Sequence, residues 1–252
     1  MIDAPLAAGA EIVLDEGQAR HVGTVLRLGT GDALRVFNAR DGEWRAIVAA
    51  KTKRGMDVHV ESFIRAARAA PDLDLLFAPV KRHATDLIVE KATELGVRRI
   101  RPVITQRTIA ETVRIDRLQA IAREAAEQTE RFDAPEIVAP LPLAKALDGW
   151  DAARPLIYAD EAGDNATAPW GGEHGRAQPL LDAAQTLPLE GGGGISVLIG
   201  PEGGFAPEER AMLRALAFVT PVSLGPRILR AETAVIAALS VIQAAWGDWR
   251  DA

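Results

Sequence analysis

Residues 195–209 read ISVLIGPEGGFAPEE. A mostly apolar run, Ile195 to Ile199, stops at Gly200. Pro201-Glu202-Gly203-Gly204 follows, and then a segment with the marks of a helix start. Pro207 suits a first helical turn, and the acids Glu208 and Glu209 complement the positive end of a helix dipole. Strand, glycine-rich loop and helix in that order form the repeating unit of a parallel α/β sheet. Ligands in such sheets bind at the carboxyl ends of the strands. The loop admits three readings: a tight turn, a phosphate cradle, or a pocket for another ligand. The cradle fails, because no lysine follows the glycines and no G-x-x-x-x-G-K-[ST] pattern exists in the chain. A dinucleotide fingerprint fails on spacing and on its late position.

Working outward, the same alternation spans residues 71–252. LDLLFAPV (73–80) reads as a buried strand, and ATDLIVEKATELG (84–96) as a helix with Gly96 at a left-handed cap. RRIRPVIT (98–105) is the next strand and 115–130 a long helix. PLIYAD (155–160) and PVSLG (221–225) are further strands, and 231–246 is a closing helix. The expectation is a parallel sheet with helices on both faces. Residues 1–70 differ: short alternating pieces around an Asp41-Gly42 turn predict a small all-β unit, with one helix near 18–26. Pro71 marks the boundary. The Ala/Gly/Pro-rich stretch 161–194 reads as a flexible insert ending in a four-glycine lead-in.

Composition sets limits. The chain has 252 residues, 48% hydrophobic and 25% charged, with a net charge of −6 and no cysteine. Disulfides, thiolate nucleophiles and zinc-thiolate sites are therefore excluded. No apolar run is long enough for a spanning helix. The acid at position 3 argues against a signal peptide, so a cytoplasmic protein is expected. The acidic excess is C-terminal: residues 141–252 carry 8 Lys/Arg against 14 Asp/Glu, whereas 71–140 carry 11 against 12. Arg98, Arg99, Arg101 and Arg107 form a local basic run, and local patches decide phosphate binding.

Several chemistries are missing. The four serines include no G-x-S-x-G elbow, and the four histidines share no ligand spacing, so serine hydrolysis and metal chemistry are not expected. What remains is a set of glycine-marked strand ends: Gly200–Gly204, Leu224-Gly225-Pro226, and then Arg227–Ala234 (RILRAETA) opening the last helix. Glycine there lets a ligand approach the backbone. A pocket of main-chain donors and acceptors suits a neutral ring better than a triphosphate, and Glu202 suits a cation. A simple turn stays the alternative at each glycine.

IGPEGGF, LGPRILRAETA, KATELGV…RPVITQRT and EAAEQTERFDAP together resemble the RsmE family, SPOUT-class methyltransferases of uridine N3 in small-subunit ribosomal RNA. RHVGTVLRLGTGD (20–32) fits that family's N-terminal PUA-like RNA-binding domain. The resemblance covers nearly the whole chain, departing from it in 161–194 and at Glu130, where the family carries glycine. It implies a trefoil-knotted sheet, a homodimer, and S-adenosylmethionine held by Ile199, Gly200, Glu202, Gly203, Leu224, Gly225, Ile228 and Leu229. The implied substrate is 16S rRNA of the small ribosomal subunit, with no metal and no membrane involved. On that footing Arg230 is the candidate for stabilising charge on the uracil ring. Glu232 either orients Arg230 or acts as base, and Glu202 is a second possible base. The alternative for Arg230 and Glu232 is an ion pair capping the helix. Arg20, His21, Arg27, Arg107 and Arg131 are the candidate RNA contacts. A non-catalytic RNA-binding protein, or another SPOUT methyltransferase, is the rival function.

Overall fold

A computed structural model describes residues 1–52, 55–109, 112–161, 177–186 and 193–251. It separates into two compact units, Met1–Ala69 with Glu130–Asp133, and Ala70–Thr129 with Ala134–Ala252.

The first unit holds β1 (Glu11–Leu14), α1 (Glu16–Arg20), a π-helical turn (His21–Val25), β2 (Ala33–Asn38), β3 (Gly42–Thr52) and β4 (Gly55–Arg65). The strands form one antiparallel sheet in the order β1-β4-β3-β2. Alternation dictates the core: Met56, Val58 and Val60 of β4 point inward and are fully buried with Val36, Ala46 and Val48. Asp15 caps α1, its Oδ1 accepting the Gln18 N–H at 2.8 Å while Gln18 Oε1 accepts the Asp15 N–H at 3.0 Å. At the β2–β3 turn Gly42 has φ +80°, and a Cβ there would lie 2.3 Å from the Arg65 carbonyl, so only glycine fits. Phe132 completes this unit, standing edge-on to Phe37 with the Arg65 guanidinium over its ring.

The second unit runs β5 (Leu73–Phe77), α2 (Arg82–Glu94), β6 (Arg99–Ile104), α3 (Ile115–Gln128), β7 (Glu136–Ile137), β8 (Leu141–Pro142), α4 (Leu143–Leu147), β9 (Leu156–Ala159), α5 (Leu180–Thr186), β10 (Ile195–Ile199), α6 (Pro207–Ala215), β11 (Val219–Val222) and α7 (Ala231–Ala245). Its sheet is parallel throughout, in the order β11-β9-β10-β5-β6-β7, with β8 pairing the end of β6. The later strand β10 lies between β5 and β9. Every residue of β5, β9 and β10 is buried, as a sheet covered on both faces requires. Ile195, Val197 and Ile199 of β10 pack with α2, α3, α5 and α7, while Leu198 packs with α4 and α6 on the other face. The expected α/β architecture beside a small β domain is what the chain adopts. Among the described residues no helix is long and apolar enough to cross a membrane.

Three local expectations need correction. α3 ends at Gln128, two residues early, and Glu130 then takes φ +56°, the left-handed position that usually falls to glycine. The strand expected at PVSLG begins earlier, at Val219, because Val219–Val222 pairs with β9 and the Ser223–Gly225 turn leaves the sheet. The stretch 161–194 is not wholly an insert. Leu180, Ala183 and Ala184 make a helical stripe buried in the main core, and Pro179 bridges to Ser223, so α5 belongs to the fold. Residues 162–176 and 187–192 of that stretch lie outside the described residues. Gly194 is no mere lead-in either. A Cβ there would lie 1.9 Å from the Arg154 guanidinium, which needs that space to reach Asp72.

Candidate active site

Three strand ends converge on one cleft. Asp160 and Glu161 follow β9, Gly200 to Glu202 follow β10, and Ser223 to Gly225 follow β11. Ile228, Leu229 and the first turn of α7 close it. Seven of the residues named for a cofactor are thereby brought together: Ile199, Gly200, Glu202, Leu224, Gly225, Ile228 and Leu229. Gly203 stands just outside the lining, and its carbonyl accepts the Arg107 Nη1–H at 2.8 Å.

The loop owes its shape to two of its glycines. A Cβ on Gly200 would lie 2.6 Å from the Phe205 ring, which folds back across the strand end and stands edge-on to Tyr158. Gly204 has φ +65°, donates to the Pro201 carbonyl at 2.8 Å, and would meet Glu161 Oε1 at 2.1 Å if it carried a Cβ. These glycines therefore serve packing within the loop. Gly225, at φ +107° with nothing within 4 Å, is the one that leaves open space. Glu209 fastens the other side: Oε2 accepts the Ala206 N–H at 3.0 Å and Oε1 the Gln106 N–H at 2.8 Å. That carboxylate ties the start of α6 to the loop after β6.

Arg230 is the N-cap residue of α7, exposed, between Leu229 and Ala231 of the cleft wall. Glu232, in the first turn of the helix, has its Oε2 buried without a hydrogen-bond partner among the described residues. No ion pair joins Arg230 and Glu232, so the capping-pair alternative is not the geometry observed. In the first unit Arg20, His21 and Arg27 are all exposed. Arg131 is only 11% exposed and turns its guanidinium onto Asp133 at 2.7 Å.

Sequence reasoning passed over Asp160, Glu161, Ser223 and Arg227. Asp160 is buried between Arg210 at 3.1 Å and Arg214 at 2.6 Å, both on α6. Burial, and then the Asp160 charge, push the Tyr158 hydroxyl far above its ordinary range. Desolvation, followed by the Asp160 charge, holds the Glu161 carboxyl above the usual carboxylate range. The signal was available, since Asp160 and Glu161 follow a buried strand as directly as Gly200 does; only the glycine marker was missing. Among the described residues no cluster of His, Asp or Glu is arranged to hold a metal.

A backbone-lined cleft with apolar Ile199, Leu224 and Leu229, and with the carboxylates of Glu161 and Glu202, fits a ligand that combines a flat neutral ring with a cationic group. Residues 68–243 match the model of an RNA methyltransferase domain, and residues 14–61 that of an RNA methyltransferase PUA domain. The chain is 31% identical over 243 residues to the ribosomal RNA small subunit methyltransferase E of Rickettsia conorii, covering 96% of this chain and 93% of that protein. The chain belongs to the RsmE family of RNA methyltransferases. Its likeness extends to solved structures. A Legionella pneumophila methyltransferase in complex with S-adenosylmethionine is 30% identical, with a TM-score of 0.81 over 97% of this chain and 96% of that one. The Neisseria gonorrhoeae ribosomal RNA small subunit methyltransferase E, bound to S-adenosylmethionine, is 25% identical, with a TM-score of 0.79 over 98% and 97%.

Proposed function

We propose that this RsmE-family chain transfers a methyl group from S-adenosylmethionine to N3 of a uridine in 16S rRNA of the small ribosomal subunit. The observation that carries the reading is the convergence of three strand-end loops on one backbone-lined cleft bearing carboxylates. Ile199, Leu224 and Leu229, the main chain of Gly200 and Gly225, and the carboxylates of Glu161 and Glu202 would hold the cofactor. When bound, the cofactor supplies an activated methyl group on a sulfonium. The protein's own task is to deprotonate uracil N3 and hold it in line, about 3–3.5 Å from the methyl carbon. Arg230, which has no carboxylate partner among the described residues, stabilises the negative charge that develops on the ring. Glu232, whose buried oxygen lacks a partner among the described residues, is the base or the group that aims Arg230. Arg20, His21, Arg27 and Arg107 contact the RNA. The assembly is a cytoplasmic homodimer, and the second unit is folded as a trefoil knot.

The test is nucleoside mass spectrometry on small subunits from a strain lacking the gene, incubated with protein and cofactor. N3-methyluridine appears with the intact protein. Arg230→Ala lowers kcat by roughly 10²–10³-fold, the range for removing one transition-state donor, while the cofactor Kd stays within a few-fold. Near-normal turnover by Arg230→Ala would remove Arg230 from the mechanism, and absence of N3-methyluridine with intact protein would remove the reaction.

A further inference from the structure

A second cavity lies at the same edge of the sheet. β5 ends at Phe77, in register with Ile199 of β10, and the Ala78 N–H donates to the Ile199 carbonyl at 3.0 Å. The segment from Ala78 to Lys81 therefore leaves the sheet beside Gly200. Strand order reverses at β5, with β6 on one side and β10 on the other, and crevices at such reversals are where open α/β sheets take ligands. The cavity is framed by Val80 and the first turn of α2, and by the approach to α3. Thr85 fixes the frame, its hydroxyl accepting the Val80 N–H at 3.1 Å and donating to the Val80 carbonyl at 3.0 Å.

Its charge is opposite to that of the cofactor cleft. Among the described residues, Lys81, Arg82, Arg114 and Arg117 line it against a single carboxylate, Asp86. Arg117 is committed to Asp86 by two bonds of 3.0 and 2.5 Å, and Arg114 to Asp116 at 3.1 and 2.6 Å. Lys81 and Arg82 are exposed and, among the described residues, have no carboxylate partner. Two unneutralised cations at the mouth of a preformed cavity suit an oxyanion, which the carboxylates of the first cleft would repel.

We infer that this cavity binds a phosphodiester group of the RNA strand being modified, through Lys81 and Arg82, and so registers the target nucleotide against the neighbouring cleft. The inference rests on the methyltransferase reading above.

The full-length protein and the double variant Lys81→Gln/Arg82→Gln are compared by fluorescence anisotropy with a small-subunit rRNA fragment across a salt series. The variant should bind about ten-fold more weakly at low salt, and the slope of log K against log salt should shrink by about 1. Its cofactor affinity and melting temperature should match the parent, and Lys81→Arg should retain RNA binding. Unchanged RNA affinity and slope in the double variant overturn the inference while leaving the methyltransferase reading intact. An intact protein that binds cofactor but no rRNA overturns both. Saturable binding of inorganic phosphate that the double substitution abolishes, with RNA binding unaffected, identifies a free-anion site and also overturns the inference.

Discussion

Gly200, Gly204 and Gly225 sit in two loops of one cleft, yet they are glycine for different reasons, and alanine at each should fail differently. At Gly200 the new methyl would meet the Phe205 ring at 2.6 Å, so Phe205 must leave its place against Tyr158. Overpacking of that kind costs about 1–3 kcal/mol. Gly204→Ala combines the left-handed φ of +65° with a 2.1 Å approach to Glu161. Gly225→Ala meets nothing and carries only the conformational strain of φ +107°, on the order of 1–3 kcal/mol. Gly200→Ala and Gly204→Ala should therefore lower the melting temperature and cofactor affinity together. Gly225→Leu, reaching into open space, should lose cofactor affinity beyond what Gly225→Ala loses. Calorimetry with S-adenosylmethionine checks the order; equal cofactor affinities for Gly225→Ala and Gly225→Leu would contradict it. Arg27 poses the converse case, a side chain at φ +59° where the Leu28 N–H closes onto the Val22 carbonyl at 3.0 Å. Glycine there relieves about 1 kcal/mol of left-handed strain but loosens the unfolded chain by about 0.4–1 kcal/mol. Arg27→Gly should leave stability nearly unchanged while weakening rRNA binding, as denaturant melts and anisotropy would show.

At the scale of elements, Arg154 is the arginine that makes the most bonds across the amino-terminal edge of the sheet. Arg154, just before β9, donates to Asp72, to the carbonyls of Asp72 and Ile195, and to Ser196 Oγ, and lies 3.0 Å from Asp74 Oδ1. Asp74 on β5 is wholly buried, and desolvation raises its carboxyl above the ordinary range although Arg154, Arg99 and Arg101 pull it down. Removing Arg154 takes away the nearest cation and leaves that charge to Arg99 at 3.3 Å and Arg101 at 3.9 Å, so the loss is part of the about 3–5 kcal/mol that breaking a buried pair costs. Because the folded pKa is raised, the penalty on the ionised form is absent below the ordinary carboxylate pKa and grows as pH climbs through the folded value. Arg154→Ala should therefore be far less stable than the parent at neutral pH, with a smaller deficit in acid. Adding Asp74→Asn should recover much of the loss at neutral pH, and a double variant no better than the single would contradict the account. None of this network was legible in the sequence, because a contact between residues 74 and 154 leaves no periodic trace. What was legible followed local rules: the apolar runs of β5, β9 and β10, the Gly96 stop after α2, and the Pro207 start of α6. Short pieces such as β7, β8 and α4 escaped because two to five residues carry too little periodicity. α5 escaped because its helical stripe, Leu180, Ala183 and Ala184, sits between glycine- and proline-rich stretches. Within the site, the Gly200 and Gly225 loops announced themselves, whereas Asp160 and Glu161 had no glycine to mark them.

At the scale of the whole molecule, the two units are not two consecutive pieces of chain. The first takes Met1–Ala69 and borrows Glu130–Asp133, so a cut at residue 70 removes part of its fold. Phe132 is the costly loss: only 7% exposed, it stands 5.8 Å from Phe37 with Arg65 over its face. Glu130 adds less, since the side chains it pairs with, Arg35 and Arg65, and its own are half or more open to water and exposed pairs contribute about 0–1 kcal/mol. A buried phenylalanine truncated to alanine costs about 3–5 kcal/mol. Phe132→Ala in the full chain should therefore destabilise the first unit by several kcal/mol and leave the second nearly untouched. Saturating S-adenosylmethionine, at about 100 times its Kd, should do the reverse and stabilise only the unit that holds the cleft, by about 2.7 kcal/mol. Hydrogen exchange separates the two effects. In Phe132→Ala the amides of β2, β3 and β4 should exchange faster while those of β5, β9 and β10 keep their protection, and cofactor should slow only the latter set. Cofactor that restored protection to β2–β4 in the variant would mean that the two units unfold as one, and the assignment of Phe132 to a separately stabilised first unit would fall.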